Sequence, residues 1–365
     1  MKLVLVTQTL DPAHPTLAQT ADLVRALAAR VDELVVVTRE FPAPPASVSV
    51  RLFEAGSKIG RGIAFERAIV PALGGADAVV VHMVPQFALL AAPAAKARRV
   101  PLLLWYTHWH ASRALHAATR VVDAALSVDA ASYPIHTGKL HALGHAIDVE
   151  EFDAPAPAPH DGPIRLLALG RTARWKGLAT LLDAVAIATT GGVDVGLEIR
   201  GPSLTPDEEA HRAELAARIA ADDRLQGRVA LLEPVARSEI PALIAAVDAV
   251  VSPNEPHRGS TFDKAVFEAA ACRRPVVSTN AAFASLLGGL SLELSAPPGD
   301  APALAAVLAN VARADPSTRA AVGEELRRRV VEGHSLGHWA DGVLRVISEV
   351  RSARGTAGSP RAGER

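Results

Sequence analysis

Residues 258–280 read RGSTFDKAVFEAAACRRPVVSTN and combine a polar, glycine-bearing loop, a helix and an apolar strand. The pattern predicts a helix over about 262–271, which the Arg-Arg-Pro sequence at 273–275 ends, and a buried strand over 276–279. Residues 248–253, DAVVSP, predict another buried strand directly upstream. The loop therefore joins the carboxyl end of a strand to the amino end of a helix, where open α/β sheets bind anions.

The start of this predicted helix carries groups that suit a phosphate-bearing ligand. Backbone N–H groups between Thr261 and Asp263 are placed to hold a phosphate, Lys264 to neutralise its charge, and Glu268 to accept hydrogen bonds from hydroxyls. An alternative stays open at this point. In it, Asp263 caps the helix, and Lys264 and Glu268 form an ordinary surface pair four residues apart.

Length and composition favour two α/β domains. The chain has 365 residues, of which 49% are hydrophobic and only 4% aromatic, so its cores must be built from Ala, Val and Leu, as in parallel α/β layers. A formal charge of −1 gives no electrostatic case for nucleic-acid binding. One cysteine, Cys272, excludes an intramolecular disulfide and a multi-cysteine zinc site. The absence of a signal peptide or of an apolar run of roughly 18 residues predicts a cytoplasmic protein.

The chain alternates predicted strands and helices from its first residues, which is typical of a doubly wound sheet. The segment 154–163, APAPAPHDGP, predicts a linker. We therefore expect a first Rossmann-like domain over 1–153 and a second over 154–335. A helix at 336–352 is expected to pack back onto the first domain, ahead of a disordered tail at 355–365.

Residues 56–62, GSKIGRG, are rich in glycine and basic but lack the lysine-serine ending of a P-loop. We predict a flexible loop leading into a helix that carries Arg61 and Arg67. A solvated basic face is the simpler interpretation. Contact with an anionic acceptor, or a peripheral contact with the inner face of a membrane, stays open as an alternative.

Several histidines lie at or near the ends of predicted strands in the first half. His82 and His108 end two such strands and are candidates by position, because active residues gather at the carboxyl ends of parallel strands. His108 and His110 would point the same way if the strand continued. No carboxylate or cysteine accompanies them at a ligand spacing, so the sequence predicts no metal site.

The loop at 170–177, GRTARWKG, follows a predicted strand at 164–169 and precedes a predicted helix at 178–189. Arg171 and Lys176 thus lie at the carboxyl end of a strand and face a helix amino end. Two cations at such a place suit a diphosphate. A basic surface loop is the alternative.

With both halves considered, the chain resembles a retaining glycosyltransferase of family 4 with the GT-B fold, over essentially its whole length. Segments similar to the family's Gly-Arg…Lys-Gly loop and donor-binding helix are LLALGRTARWKGLATLLDAVAIA at 166–188 and FDKAVFEAAACRRPVVST at 262–279. VALLEPVARSEIPALIAAVDAVVSP at 229–253 resembles the nucleotide-base segment. LWYTHWH at 104–110 and GHAIDVEEF at 144–152 resemble the acceptor-side histidine segment and the domain-closing segment.

The resemblance implies two Rossmann-like doubly wound domains facing each other across a cleft, with the acceptor side in the first domain and the nucleotide-sugar donor in the second. Arg171 and Lys176 would bind the donor diphosphate and stabilise the leaving group, and His108 would face the sugar and acceptor. The implied donor-binding positions are Gly170, Ser260, Thr261, Phe262, Asp263 and Lys264 around the phosphates and sugar, Glu268 at the ribose, and Pro234 and Val235 at the base.

The reaction implied by the resemblance moves a sugar, with retention, from a nucleotide-diphosphate sugar to a hydroxyl of a cell-envelope polysaccharide, a glycolipid or a small metabolite. It needs no metal and no other cofactor. Two departures bear on donor choice and phosphate contacts. In the first, Ser260 stands where the family often has a sugar-binding glutamate, and Asp263 stands in place of a glycine. In the second, His14-Pro15-Thr16 occupies the region of the family's usual Gly-Gly loop after the first strand. A GT-B epimerase or phosphorylase, and a catalytically silent nucleotide-sugar-binding partner subunit, stay open as alternatives.

Overall fold

A computed structural model of the chain describes residues 1–11, 14, 17, 19–41, 48–108, 110–255 and 263–357. The chain divides into two compact units. Unit 1 comprises Met1–Ala146 together with the C-terminal part from Ser335, and unit 2 comprises Ile147–His334. The division falls before Ile147, ahead of the Ala-Pro segment, because Ile147 and Phe152 are buried in the core of unit 2.

Unit 1 is built on a sheet of seven parallel strands in the order β3-β2-β1-β4-β5-β6-β7. Its elements are β1 Lys2–Val6, α1 Thr20–Ala28, β2 Glu33–Thr38, β3 Ser49–Leu52, α2 Lys58–Ala72, β4 Ala78–His82, α3 Pro85–Ala97, β5 Leu102–Trp105, α4 Arg113–Val121, β6 Ala124–Ser127, β7 Leu140–Ala142 and, from the C-terminal part, α12 Leu336–Ala357. Strands β1, β4, β5 and β6 are almost wholly apolar because helices cover both faces of a parallel sheet. Helix α12 is held in unit 1 by Trp339, whose ring meets that of Trp105 edge to face at 5.6 Å.

Unit 2 is built on a sheet of five parallel strands in the order β10-β9-β8-β11-β12. Its elements are β8 Ile164–Leu169, α5 Leu178–Thr190, β9 Val195–Arg200, α6 Pro206–Ala221, β10 Val229–Leu232, α7 Ile240–Ala245, β11 Ala249–Ser252, α8 Lys264–Ala271, β12 Val276–Ser278, α9 Ala284–Leu287, α10 Ala301–Arg313 and α11 Pro316–His334. Its core consists largely of Ala, Val and Leu side chains, as the composition predicts.

Two local predictions differ from the structure. The segment 56–62 is mostly helical rather than a loop, because Ser57 caps α2 by accepting a 3.0 Å hydrogen bond from the N–H of Gly60. Helix α12 extends through 355–357, where the disordered tail was expected to begin, and the rest of that tail lies outside the described residues.

Each sheet reverses its strand order once. The reversal lies between β1 and β4 in unit 1 and between β8 and β11 in unit 2. Ligands of open α/β sheets bind outside the carboxyl ends of the strands at this switch point. The fold therefore directs attention to the residues that follow β1 and β4, and to those that follow β8 and β11.

Candidate functional site

A small pocket lies at the switch point of unit 2. Gly170 and Arg171 follow β8 and line it, together with Lys176, Asn254 and Asp263. Four predicted site residues (Gly170, Arg171, Lys176 and Asp263) are thus brought together at the carboxyl ends of two neighbouring strands.

Close packing against the chain that follows β11 fixes the loop between β8 and α5. Gly177 has φ +66°, and a Cβ there would lie 1.8 Å from the carbonyl oxygen of Pro253, so only glycine fits. The N–H of Glu255 donates to the carbonyl of Trp175 at 2.9 Å, and the Thr180 hydroxyl donates to the Glu255 carboxylate at 2.8 Å. These contacts give Lys176 a defined position beside β11.

Lys176 forms a buried ion pair with Asp263. Its Nζ lies 2.9 Å from Asp263 Oδ2, and both residues are less than a tenth exposed. The same Oδ2 accepts hydrogen bonds from Ser252 Oγ at 2.9 Å and Asn254 Nδ2 at 3.1 Å. Burial alone would raise the pKa of Asp263, but the Lys176 ammonium and these hydrogen bonds together hold it below its usual range.

Arg171 is paired with a second buried carboxylate. Its guanidinium donates two hydrogen bonds to Glu208 in the first turn of α6, of which the Nε–Oε2 bond measures 3.3 Å. Glu208 also accepts a 2.7 Å bond from the N–H of Leu204. Arg171 is 41% exposed whereas Glu208 is 5% exposed, so the guanidinium keeps an accessible face. Both cations predicted to bind phosphate therefore have an anionic partner.

Glu268 is buried on α8 between two cations. Its Oε1 accepts a 2.6 Å hydrogen bond from Arg237 Nη1 and lies 3.6 Å from Lys264 Nζ. The guanidinium of Arg237 also lies over the ring of Phe152, 5.0 Å from its centre. The pair expected four residues apart on α8 is present, but it is not a surface pair because Glu268 is only 4% exposed.

Pro234 and Val235 follow β10, and Pro234 lines an open groove with Gly201, Arg212 and Glu233. Arg212 Nη2 donates to the carbonyl of Leu232 and to the Glu233 carboxylate, both at 2.9 Å. A Cβ on Gly201 would lie 1.7 Å from the carbonyl oxygen of Gly170. The close approach of these two glycines makes the groove a direct neighbour of the Lys176 pocket.

Of the two histidines predicted to end strands of unit 1, His82 ends β4, whereas β5 ends at Trp105, three residues before His108. His108 follows β5 and is exposed, and its Nδ1 accepts a 3.1 Å hydrogen bond from the N–H of His110. Burial and then the neighbouring His110 lower the pKa of His108. His82, at the switch point of unit 1, is buried and lies 3.1 Å from the Thr7 hydroxyl through Nδ1. Burial lowers the pKa of His82 to about 4, so its imidazole is neutral at pH 7.

Ser260, Thr261 and Phe262 lie outside the described residues. Sequence reasoning missed Ser252 and Asn254, although both flank a proline at the carboxyl end of a predicted strand, which is a usable signal. It also missed Glu208 and Arg237, whose contacts depend on the tertiary fold alone.

Within the described ranges, no group of three or more His, Cys, Asp or Glu side chains is arranged to hold a metal ion. None of the described helices combines the length and the apolar character that a membrane crossing requires.

Two units built on parallel sheets, with a charged pocket at the switch point of the second, define a doubly wound α/β protein. Residues 163–313, most of unit 2, match the family described as "Glycosyl transferases group 1". The sequence matches no curated protein.

Several solved structures match nearly the whole chain. A glycosyltransferase from Rickettsia africae superposes with a TM-score of 0.75 at 16% identity, covering 96% of this chain and 98% of that one. The Anabaena protein HepE, in complex with UDP and glucose, gives 0.70 at 18% identity, with 98% and 100% covered. Sucrose-phosphate synthase from Thermosynechococcus elongatus gives 0.71 at 19% identity, with 97% and 100% covered. At such identities the likeness establishes the fold, and the predicted GT-B class of two Rossmann-like units is confirmed.

Proposed function

We propose that the chain is a retaining glycosyltransferase of family 4 that transfers a sugar from a nucleotide-diphosphate sugar to a hydroxyl acceptor. The observation that carries this proposal is the pocket at the β8–β11 switch point, where Arg171 and Lys176 meet. It lies within the segment that matches the group 1 glycosyltransferase family. A guanidinium, an ammonium and the amino end of α5 together suit a diphosphate.

The neighbouring residues fit the remaining parts of such a donor. In the proposal, the ribose hydroxyls donate to Glu268, the base lies in the groove beside Pro234 and Val235, and the chain from Ser260 to Lys264 meets the sugar and distal phosphate. The contact between Gly170 and Gly201, which makes groove and pocket adjacent, supports a single donor molecule spanning both.

The reaction breaks the bond between the anomeric carbon and the phosphate oxygen and forms a bond from that carbon to the acceptor oxygen. The acceptor attacks from the side of the leaving group, and its proton passes to a phosphate oxygen. Arg171 and Lys176 stabilise the negative charge that develops on the leaving diphosphate, and neither a metal nor a protein nucleophile takes part. His108, with its lowered pKa, contributes a neutral imidazole toward the sugar and acceptor.

The donor class tested first is a UDP-hexose, because structural neighbours from Anabaena were solved with UDP and with UDP-glucose. The acceptor is a polysaccharide, lipid-linked or metabolite hydroxyl, and the reaction takes place in the cytoplasm. The exposed Ile59 and Ile63 on basic helix α2 are compatible with a peripheral contact at the inner face of a membrane.

The first test is a thermal-shift screen of the full chain against UDP, GDP, ADP, dTDP and CDP, each in the presence of EDTA. A ligand that binds only the folded state raises the melting temperature by mass action. We expect one nucleotide to raise it strongly without metal. A shift that appears only when a divalent cation replaces EDTA would contradict the metal-independent mechanism, and no shift at all would contradict a donor site.

Turnover of Lys176→Gln tests the diphosphate assignment. We expect kcat with the donor found in the screen to fall by roughly 10²–10³-fold, the usual cost of losing one donor to a developing charge. Arg174→Gln is the matched control, because Arg174 lies in the same loop but pairs on the surface with Asp207 and Glu214. Equal turnover in the two variants would refute the role of Lys176.

A second candidate is a catalytically silent nucleotide-sugar-binding subunit. The observation in its favour is that both cations at the pocket are already neutralised, Arg171 by Glu208 and Lys176 by Asp263. It predicts nucleotide binding in the screen without donor hydrolysis or transfer to any hydroxyl acceptor. Hydrolysis or transfer that is lost in Lys176→Gln would exclude it.

A further inference from the structure

Lys176 and Asp263 form an ion pair at the proposed donor site. The Asp263 carboxylate therefore competes with the diphosphate of the donor for the Lys176 ammonium. Asp263 stands where the resembled family often has a glycine, which would carry no competing carboxylate. Lys176 forms one wall of the pocket, because a Cβ on Gly170 would lie 3.1 Å from its Cε and 3.2 Å from its Nζ. A diphosphate in that pocket therefore meets an ammonium whose charge is already matched.

The competition acts on the empty and the filled site in opposite ways. Without Asp263 the empty site would contain a buried ammonium with no counter-ion, which is costly. With a diphosphate bound, the Asp263 carboxylate is a second anion next to the same ammonium, and like charges repel strongly in a poorly solvated site. The carboxylate thus stabilises the empty form and destabilises the filled one.

Three donors keep the carboxylate in place for this role. Ser252 and Asn254 hold the same Oδ2 that Lys176 contacts, and all three partners lie on or next to the carboxyl end of β11 or in the loop packed against it. Asp263 is therefore fixed by the protein whether or not the ammonium is shared with a ligand. Arg171 differs, because its exposed guanidinium has further N–H groups to offer a phosphate beyond those bound to Glu208.

We propose that Asp263 is the internal counter-ion of Lys176, competing with the diphosphate for its ammonium and so promoting release of the nucleoside diphosphate product. This inference rests on the proposed function. It makes Asp263 a positioning residue that sets how tightly the product is held, and it gives a physical role to the exchange of glycine for aspartate.

The test is calorimetric titration of the full chain with UDP, or with whichever nucleoside diphosphate the screen identifies, for the native protein, Asp263→Asn and Asp248→Asn. Asp248 is the matched control: it too is buried and ion-paired, to Arg165 at 2.9 Å, but it lies at the amino end of β11. We expect both variants to melt at a lower temperature without ligand. Only Asp263→Asn should bind the nucleotide more tightly, by about tenfold, with a correspondingly slower dissociation rate.

Equal or weaker binding by Asp263→Asn would overturn the inference. An aspartate with a purely structural role predicts that its loss leaves nucleotide affinity unchanged or lowers it. Should Asp263→Asn fail to fold, Asp263→Gly, which removes the carboxylate and keeps the Lys176 ammonium, is compared with the native protein. The inference predicts tighter binding by Asp263→Gly, and no gain would overturn it. If the native protein binds no nucleoside diphosphate at all, the proposed function is wrong. If the native protein binds one and the variant binds it less tightly, only the inference about Asp263 is wrong.

Discussion

The two switch points have the same topology, but uncharged side chains meet at one of them and ion-paired side chains at the other. In unit 1, Thr7 follows β1 and His82 ends β4, and the two form a buried, uncharged hydrogen-bonded pair. In unit 2, the corresponding place between β8 and β11 has the ion pairs of Lys176 with Asp263 and of Arg171 with Glu208. Strand order thus creates a crevice in each unit, but the side chains at the strand ends decide what it binds. Among the described residues at the two places, those of the charged crevice in unit 2 are the ones suited to a diphosphate.

The largest expected effect tests whether the unit 1 crevice is neutral. The unfolded chain takes up a proton on His82 near pH 6.5, whereas the folded chain resists it until about pH 4. The stability contribution of neutral His82 is therefore complete above pH 6.5 and is lost as the pH falls from 6.5 to 4. We expect a loss of about 3 kcal/mol in the free energy of unfolding over that interval.

Urea unfolding at pH 7 and pH 4.5, followed by tryptophan fluorescence, measures this loss. In His82→Gln the corresponding part of the acid destabilisation should disappear. His116→Gln is the control, because His116 is an exposed histidine of the same unit, and it should retain the full loss. An unchanged acid loss in His82→Gln would mean that burial does not lower the pKa of His82, and the contrast between the two crevices would fail.

The next effect tests how far the charged site of unit 2 extends beyond its pocket. Glu268→Gln keeps the shape of the side chain but removes the charge that holds Arg237 and Lys264. A hydrogen bond to a charged group contributes about 1.5–3 kcal/mol, so we expect the Kd of the nucleotide to rise by roughly 10–100-fold. Because the ribose contact is present in both ground and transition states, KM should rise while kcat changes little.

Glu239→Gln is the control for this substitution, since Glu239 is exposed at the start of a nearby helix and caps the N–H of Ala236. Nucleotide affinity in this variant should match that of the native protein. If Glu268→Gln also bound the nucleotide as tightly as the native protein, Glu268 on α8 would not contact the donor. The charged site would then be limited to the pocket beside Lys176.

Positional rules on the sequence found the cations but not their partners. Arg171 and Lys176 are recognisable because a short glycine-bounded loop follows an apolar run, and local patterns encode such loops well. Their carboxylate partners lie 37 and 87 residues away in the chain. No periodicity links residues so far apart, so Glu208 passes as an ordinary first-turn glutamate and Asp263 as a ligand contact or a helix cap.

Local propensity also misjudged the start of α2. Three glycines in 56–62 favour a loop, since each costs about 1 kcal/mol inside a helix. The Ser57 cap and the complete burial of Phe65 and Ile69 further along outweigh that cost. The fold class was predictable because it depends on the alternation of many elements, whereas helix ends and buried ion pairs depend on a few tertiary contacts.

The smallest expected effect tests whether the two crevices act independently. Thr7→Val keeps the shape of the side chain but deprives buried His82 Nδ1 of its hydrogen-bond partner, so unit 1 should lose about 1–2 kcal/mol of stability. Nucleotide affinity measured by calorimetry should stay at the native value, because every group assigned to the base, ribose and diphosphate lies in unit 2. A change of several-fold in that affinity would show that the neutral crevice contributes to nucleotide binding. The two crevices would then not be independent.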